Sequence, residues 1–357
     1  MGNLMVAFDF KHVRIESVAL QLPPEEVTSA QIEDRMAALY ERLQVPFGTL
    51  EKLSGVKTRY VWSPQVRPSQ AATMAARSAI DKIGFDRENL KALFSCSVSR
   101  DYFEPATSTL VHRNLEFSEN SIAMDISNAC IGFSNGMLTL AGMIESGAVK
   151  AGLVVSGESV VPLLDATFDL IQNDPKIDRE RLIELLPTFT LGCGAAAMVL
   201  AHESIATQSH KLQSIVTRSA TQHNMLCVGD RDYCHSLGTA VRPIMTTDSQ
   251  GIIGAAAELG ARAFVEMSER SGLSKDDIDH IFCHQVGRQV NAAFYEKMGL
   301  DHSKEFSVYQ RYGNLVSASL PAAFFTGIDE KGIKSGERIL LTAFGSGLNA
   351  IFSNIIW

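Results

Sequence analysis

The chain is 357 residues long, 46% hydrophobic and formally −8 at pH 7, enough apolar material for a large core over about two domain lengths. The acidic balance, with no Lys/Arg run carrying interleaved aromatics, argues against a nucleic-acid partner. A phosphate-bearing ligand would have to find a local basic patch against the global field.

No stretch approaches the ~20 apolar residues of a membrane span, and MGNLMVAFDFKH has neither the basic start nor the long apolar run of a signal peptide. Val6 stands where a myristoylation signal after Gly2 takes Ser or Thr. The six cysteines (Cys96, Cys130, Cys193, Cys227, Cys234, Cys283) show no framework spacing, so reduced thiols and a soluble cytoplasmic protein are expected.

In chain order, β-rich apolar runs predict strands over 13–20, 92–99, 122–127, 151–156 and 195–200. Periodic apolar faces predict helices over 29–43, 69–83, 107–115 and 132–145, the first with a capping-box start at Thr28 and Gln31. Strands follow over 214–220, 280–285, 338–344 and 350–356, and helices over 251–270, 289–298 and 318–326. Buried strands alternating with helices imply an α/β fold of mixed sheets covered on both faces.

An internal echo runs through this pattern at a constant offset of 188 residues, between Ile83–Arg100 and Ser271–Arg288. Gly84 answers Gly272, Leu90 answers Ile278, Leu93 answers Ile281, Phe94 answers Phe282, Val98 answers Val286 and Arg100 answers Arg288. Gap-free matching over a helix–loop–strand unit points to duplication rather than chance. The chain is expected to be two related α/β halves, 1–207 and 208–357, packed as one body because no Pro- or Ser-rich linker divides them.

Cys130 lies in DISNACIGFSNG, where a strand breaks into a helix at the sulfur. A thiol facing unpaired helix N–H groups can have its pKa lowered from ~8.5 to roughly 3.5–7.5, which would make it a thiolate nucleophile. The same N–H groups could hold a thioester oxygen as it becomes an oxyanion. The competing reading is a buried structural cysteine. His284 sits at the exit of a strand in FCHQVGRQVNAAF, at the place of Cys96 in the echo, so the two copies have diverged there. Asn314 follows a glycine at a turn into a small-residue helix, and Gly345-Ser346-Gly347 separates the last two strands. Each alone has a bland reading: a structural histidine, a turn asparagine, a hairpin turn.

Taken together, Asn128-Ala129-Cys130 with Gly132-Phe133, His284-Gln285, Gly313-Asn314 and the terminal Gly345-Ser346-Gly347 resemble the thiolase superfamily of condensing enzymes. The Cys/His/Asn set is similar to β-ketoacyl synthase III; degradative thiolases carry a second cysteine in the terminal glycine loop, and this loop has none. The resemblance implies thiolase-like halves, with Cys130 in the first and His284 and Asn314 in the second, in a layered αβαβα body. It implies that Cys130 takes an acyl group from a thioester and that His284 and Asn314 stabilise the enolate of a second thioester. The backbone amides of Cys130 and Ser346 would form the oxyanion hole. No metal and no resident cofactor are implied, coenzyme A entering only as part of the substrate.

Glu104, in SVSRDYFEPATSTLV, bears on which condensing enzyme this is. Decarboxylating synthases obtain their carbanion by losing carbon dioxide, whereas joining two simple acyl thioesters requires a base beside the α-carbon, a role a positioned carboxylate can fill. A surface glutamate is the alternative. SVSRDYFEPAT, NACIGFSNGM, TLGCGAAAMVLA, VTRSAT and FGSGLN resemble OleA-type enzymes, which carry out a non-decarboxylative, head-to-head Claisen condensation of two fatty acyl-CoA molecules to a β-keto acid in olefin biosynthesis. That resemblance implies a homodimer in which Glu104 reaches into the partner's active site, and downstream pathway enzymes as further partners. Pyrone-type ketosynthases joining β-ketoacyl thioesters and decarboxylative synthase III acting on carrier-protein thioesters are the enzymatic alternatives. The acidic charge counts against the latter, and an acyl-binding partner lacking a nucleophile is disfavoured because Cys130, His284 and Asn314 are all present.

The cluster of His223, Cys227, Cys234 and His235 lacks a CxxC-type spacing and is not expected to bind metal. Cys193-Gly194 is expected at a strand start lining the site, as packing rather than chemistry, and the acid pairs Glu25-Glu26 and Asp276-Asp277 are expected to face water.

Overall fold

The computed structural model describes residues 6–229, 243–285 and 287–357, and the side chains of these except Gln289 and Val290. The first half contains β1 (Ala7–Asp9), β2 (Val13–Gln21), β3 (Glu25–Thr28), α1 (Ser29–Arg35), α2 (Ala37–Leu43), α3 (Thr49–Ser54), β4 (Thr58–Val61) and α4 (Pro68–Ile80). It continues through β5 (Leu90–Ser95), α5 (Thr107–Asn114), β6 (Ile122–Asp125), α6 (Gly132–Glu145), β7 (Ala151–Glu158), α7 (Val161–Asn173), α8 (Arg179–Leu185) and β8 (Gly194–His202). After it come β9 (Lys211–Ser219), β10 (Cys227–Gly229), β11 (Met245–Thr247), α9 (Ser249–Ser271), β12 (His280–Cys283) and α10 (Arg288–Met298). The chain closes with α11 (Tyr309–Tyr312), α12 (Ser319–Lys331), β13 (Arg338–Gly345) and β14 (Asn349–Ile356).

The strands of each half follow one plan. β2 runs antiparallel to β8, β8 antiparallel to β7, and β7 parallel to β5; β9, β14, β13 and β12 repeat these relations in the same order. The echoed segments therefore end in equivalent strands, β5 and β12, as duplication requires. β2 and β9 meet only through Arg14 and Lys211, and β6 extends the first half beyond β5 as a sheet edge.

Three apolar clusters turn this arrangement into five layers. α6 and α12 lie between the two sheets, where Phe133, Met137 and Leu140 pack with Phe324, Phe94 and Leu341 in one buried cluster. α4 covers the outer face of the first sheet, and α9 with α10 covers that of the second. A helix between two sheets has no solvent face, which explains why GFSNGMLTLAGMIE is apolar or small around most of its circumference. The fold is thus the layered αβαβα arrangement, with mixed sheets buried on both sides.

Two expectations need correction. The helix expected over 29–43 is two helices, because Met36 leaves helical geometry (φ −103°, ψ 7°) and its N–H closes onto the Glu33 carbonyl. Ile32, Met36, Leu39 and Tyr40 all reach the core across the break, while the buried Glu33 carboxylate accepts from the Gly48 and Leu50 amides. α7 and α8 also lie where no helix was expected; α7 carries Pro162 in its first turn, and the Asp178 side chain caps α8 by accepting from the Arg181 amide.

α6 is seated closely on the end of β5. A Cβ on Gly132 would stand 2.4 Å from the Cys96 carbonyl oxygen, and one on Gly136 would stand 2.4 Å from the Cys96 sulfur. Gly132→Ala should therefore force α6 off the end of β5 and cost roughly 1–3 kcal/mol, the usual scale of overpacking. Denaturant titration with an unchanged slope should show it, and a midpoint equal to wild type would mean the helix has room to retreat.

Candidate active site

Cys130 stands just before α6, between Ala129 and the helix cap Ile131. Ala129 adopts φ 45°, a left-handed conformation costing an alanine about 1–2 kcal/mol. The amides of Ile131 and Gly132 turn back to the carbonyls of Asn128 and Ala129, and the Asn128 side-chain amide bonds Asn135 Oδ1 at 3.0 Å. The sulfur is held half-buried at a sharp strand-to-helix turn.

His284 leaves β12 fully buried, its amide bonded to the Thr342 carbonyl at 2.9 Å, and its Nδ1 has no partner among the described residues. Gln285 fixes this exit by donating to the Cys283 carbonyl (2.6 Å) and accepting from the Val308 and Tyr309 amides (2.7 and 3.1 Å). Asn314 is buried on the turn before α12. Its Oδ1 accepts from the Val316 amide (2.9 Å) and the Ser319 hydroxyl (2.8 Å). With the oxygen engaged twice, the orientation of the amide is settled and Nδ2 is the end left to donate. Val316, a β-branched residue, is held at φ 56° beside it.

These residues share one cavity of about 1650 Å³, whose wall includes Cys130, His284, Asn314, Gly345, Ser346 and Gly347. A Cβ on Gly345 would stand 3.1 Å from Ile131, so the glycine loop lies directly against the start of α6. Leu53, Val66, Leu163, Ile183 and Leu186 of the first half, and Ile252, Ile253, Phe294 and Phe344 of the second, make the remaining wall largely apolar. Arg67, Arg100 and Arg288 also border the cavity and are exposed, in a chain of net charge −8.

Glu104 is elsewhere. It is exposed and does not line its own chain's cavity. It sits on the loop between β5 and α5, whose feet are fastened: the Asp101 carboxylate accepts from the Ser69 amide and hydroxyl, and the Asp125 carboxylate accepts from the Thr107 and Ser108 amides. Beside it Phe103 is 76% exposed, and Tyr102 together with Ile122 and Met124 of β6 is exposed as well.

The electrostatics overturn one expectation. Burial, then the neighbouring Cys227 thiol and Glu158 carboxylate, push the Cys130 thiol well above its ordinary pKa; only its own backbone N–H pulls the other way. Cys130 precedes the helix cap, outside the first turn where the dipole acts, so desolvation wins and the resting sulfur is a neutral thiol. Burial also lowers the His284 imidazole to about 4, which keeps it neutral.

Cys193 is fully buried but does not line the cavity, which corrects its expected place; its sulfur accepts from the Val160 amide instead. His223 and Cys227 do line it, while Cys234 and His235 lie outside the described residues. Among the described residues no group of three His, Cys, Asp or Glu side chains could hold a metal ion, and no helix is long and apolar enough to cross a membrane. Glu25, Glu26, Asp276 and Asp277 are exposed.

Glu158 was missed. It ends β7, is completely buried on the cavity wall, and has no cationic partner among the described residues. The available signal was an acid closing the otherwise apolar run AGLVVSGE.

Comparison with known proteins agrees with this site. The profile of 3-oxoacyl-acyl-carrier-protein (ACP) synthase III matches residues 124–220, and that of its C-terminal part matches 268–355. An acyl-CoA:acyl-CoA alkyltransferase of Xanthomonas campestris pv. campestris is 34% identical over 349 residues, covering 98% of this chain and 99% of that protein. The chain belongs to the synthase III family of thiolase-fold condensing enzymes, the family that includes these alkyltransferases. Among solved structures, Xanthomonas campestris OleA with a glutamate changed to glutamine superposes with a TM-score of 0.91 at 33% identity, covering 98% of each chain. OleA with a cysteine changed to serine, carrying lauric acid and lauroyl-CoA, gives 0.89 at 34% identity over 98% of this chain and 100% of that one. The substituted glutamate and cysteine occupy positions 117 and 143 of their chain, 26 residues apart; Glu104 and Cys130 are likewise 26 apart.

With its pKa moved from 6.5 to about 4, His284 should stay neutral in an NMR titration from pH 8 down to about 5. The unfolded chain takes up this proton near 6.5, so the associated stability is complete above that pH and is lost as pH falls toward 4. A His284 resonance titrating near 6.5 would contradict the burial argument.

Proposed function

We propose that the protein joins two fatty acyl-CoA thioesters by a non-decarboxylative Claisen condensation, forming a β-keto acid through an acyl-Cys130 intermediate. It works as a homodimer in which Glu104 of one chain serves the site of the other. Residues 1–207 contribute the nucleophile and 208–357 contribute His284 and Asn314. The observation that carries the reading is that Cys130, His284, Asn314 and Ser346 border one apolar cavity while Glu104 stands outside it. At about 1650 Å³ the cavity exceeds the roughly 300–1,000 Å³ usual for one small ligand, as two acyl chains require. The matching 26-residue separation in OleA supports Glu104 as the acid paired with the cysteine.

In the first half-reaction the Cys130 sulfur attacks the acyl-CoA carbonyl, and the developing oxyanion is met by the amides of Cys130 and Ser346. The thiol proton ends on the departing CoA sulfur, with the neutral His284 imidazole in the same cavity to relay it. In the second half-reaction Glu104 of the partner subunit removes an α-proton from a second acyl-CoA. The enolate oxygen is stabilised by His284 and the Asn314 Nδ2 amide, and the α-carbon attacks the acyl-Cys130 carbonyl, expelling the Cys130 thiolate, which takes back the proton that Glu104 removed. Hydrolysis of the resulting β-ketoacyl thioester gives the β-keto acid.

The arginines at the rim suit the phosphates of coenzyme A, which enters as substrate; the chemistry calls on no metal or resident cofactor. The free sheet edge at β6, with exposed Ile122, Met124, Tyr102 and Phe103 beside Glu104, suits an interface with a second copy. The β-keto acid product fits olefin biosynthesis, with later enzymes consuming it in the cytoplasm.

Incubation with a fatty acyl-CoA alone, without malonate, should yield a condensed product by mass spectrometry. Cys130→Ala should accept no acyl group, whereas Glu104→Ala should take one on Cys130 yet lose condensation by about 10²- to 10⁴-fold, the usual worth of a general base. Absence of product from acyl-CoA alone, or acylation persisting in Cys130→Ala, would overturn the reading.

A further inference from the structure

Glu158 occupies a junction that the proposed chemistry leaves without a role. Its Oε1 accepts from the Val98 amide (2.8 Å), from the Ser317 amide (3.4 Å) and from the Ser317 hydroxyl, and its Oε2 accepts from the Ser99 amide (3.0 Å). Ser317 is further tied to the Ser156 hydroxyl at 2.6 Å. An isolated buried carboxylate is costly, and a structure retains one where its acceptor capacity is spent on specific donors. Here all four donors belong to two segments of the site. Val98 and Ser99 begin the loop that carries Glu104; Ser317 follows Asn314 and the left-handed Val316.

We infer that Glu158 is a positioning residue, whose single carboxylate fixes the Asn314 turn in its own active site and the Glu104 loop that serves the partner's. The inference rests on the condensation reading and adds a link between its two halves. The Thr190 carbonyl and Gly192 amide hold this turn at Asn314, and on the far side of the left-handed Val316 the Ser317–Glu158 bonds hold it from outside. The loop from Ser97 to Ala106 leaves β5 toward the surface, and Glu158 bonds the Val98 and Ser99 amides beside the Ser97–Gly157 and Ser99–Ser159 side-chain bonds. Cys130 is held by other contacts, those of Asn128, Asn135 and Gly132, none of which involves Glu158.

Two substitutions separate this role from general support. In Glu158→Gln the amide oxygen can keep the Val98 and Ser317 bonds, but its NH₂ then faces the Ser99 N–H, two donors opposed, so the Glu104 loop is loosened. Ser317→Ala removes the hydroxyl that anchors the Asn314 turn. In Ser317→Ala, single-turnover acylation of Cys130, followed by intact mass, should proceed at the wild-type rate; in Glu158→Gln, which also removes a charge that raises the Cys130 thiol, it should be no slower than wild type. In both, the kcat for condensation should fall on the order of 10²-fold, the scale of a misplaced catalytic group, with KM for acyl-CoA unchanged.

A merely structural role would lower acylation and condensation together, and that parallel loss would overturn the inference; so would normal condensation in both variants. Should Glu158→Gln give no folded protein, the same ratio in Ser317→Ala decides. A wild-type enzyme that makes no product from acyl-CoA alone would instead defeat the condensation reading itself.

Discussion

The close seating of α6 on the end of β5 is the constraint from which the site follows. There is no space for a side-chain carbon between Gly132 and the Cys96 carbonyl, so the helix begins where the strand stops. The chain absorbs the sharp reversal at Ala129, in a conformation that alanine rarely adopts. Cys130 is thereby held at the mouth of the central helical layer, facing the second sheet. Gly345 can approach Ile131 for the same reason, which brings Ser346 to the same cavity. Placement of the Cys130 sulfur is thus a packing result, maintained by the interior of both halves.

Duplication supplies the rest by divergence at equivalent points. β5 and β12 leave their sheets at the same topological position. One exit presents Cys96 as a buried spacer under α6, and the other presents His284 to the cavity. Burial then biases the charges: it favours a neutral imidazole and a neutral thiol, and behind them it pushes the Glu158 carboxyl up as well. A neutral thiol and imidazole suit chemistry in which charge appears only transiently on thioester oxygens, where fixed donors act most strongly.

Much of this was legible in the sequence. The strand runs, the apolar α6 and the Thr28 capping box needed only local periodicity, and the echo between Ile83–Arg100 and Ser271–Arg288 gave the repeated topology. What was not legible depended on distant neighbours. The break at Met36 lies beside Glu33, whose partners are 15 and 17 residues away, and α7 is hidden by a proline that only its place in the first turn makes harmless. The expectation of a lowered Cys130 pKa took account of the helix and could not include burial by the opposite sheet, nor Glu158 and Cys227. Glu158 looked like one acid closing a strand; its meaning lies in donors some 60 and 159 residues away.

The central claim is that one chain's Cys130 works with another chain's Glu104, and subunit exchange between two inactive variants tests it most directly. Glu104→Ala and Cys130→Ala homodimers each lack one group at every site. In a mixed dimer one site receives both intact residues and the other receives both substitutions. With random exchange about half the dimers are mixed, so condensation should return to roughly a quarter of the wild-type rate. Verified exchange with no recovered condensation would contradict the account, since a Glu104 acting within its own chain leaves every site in the mixture short of one group.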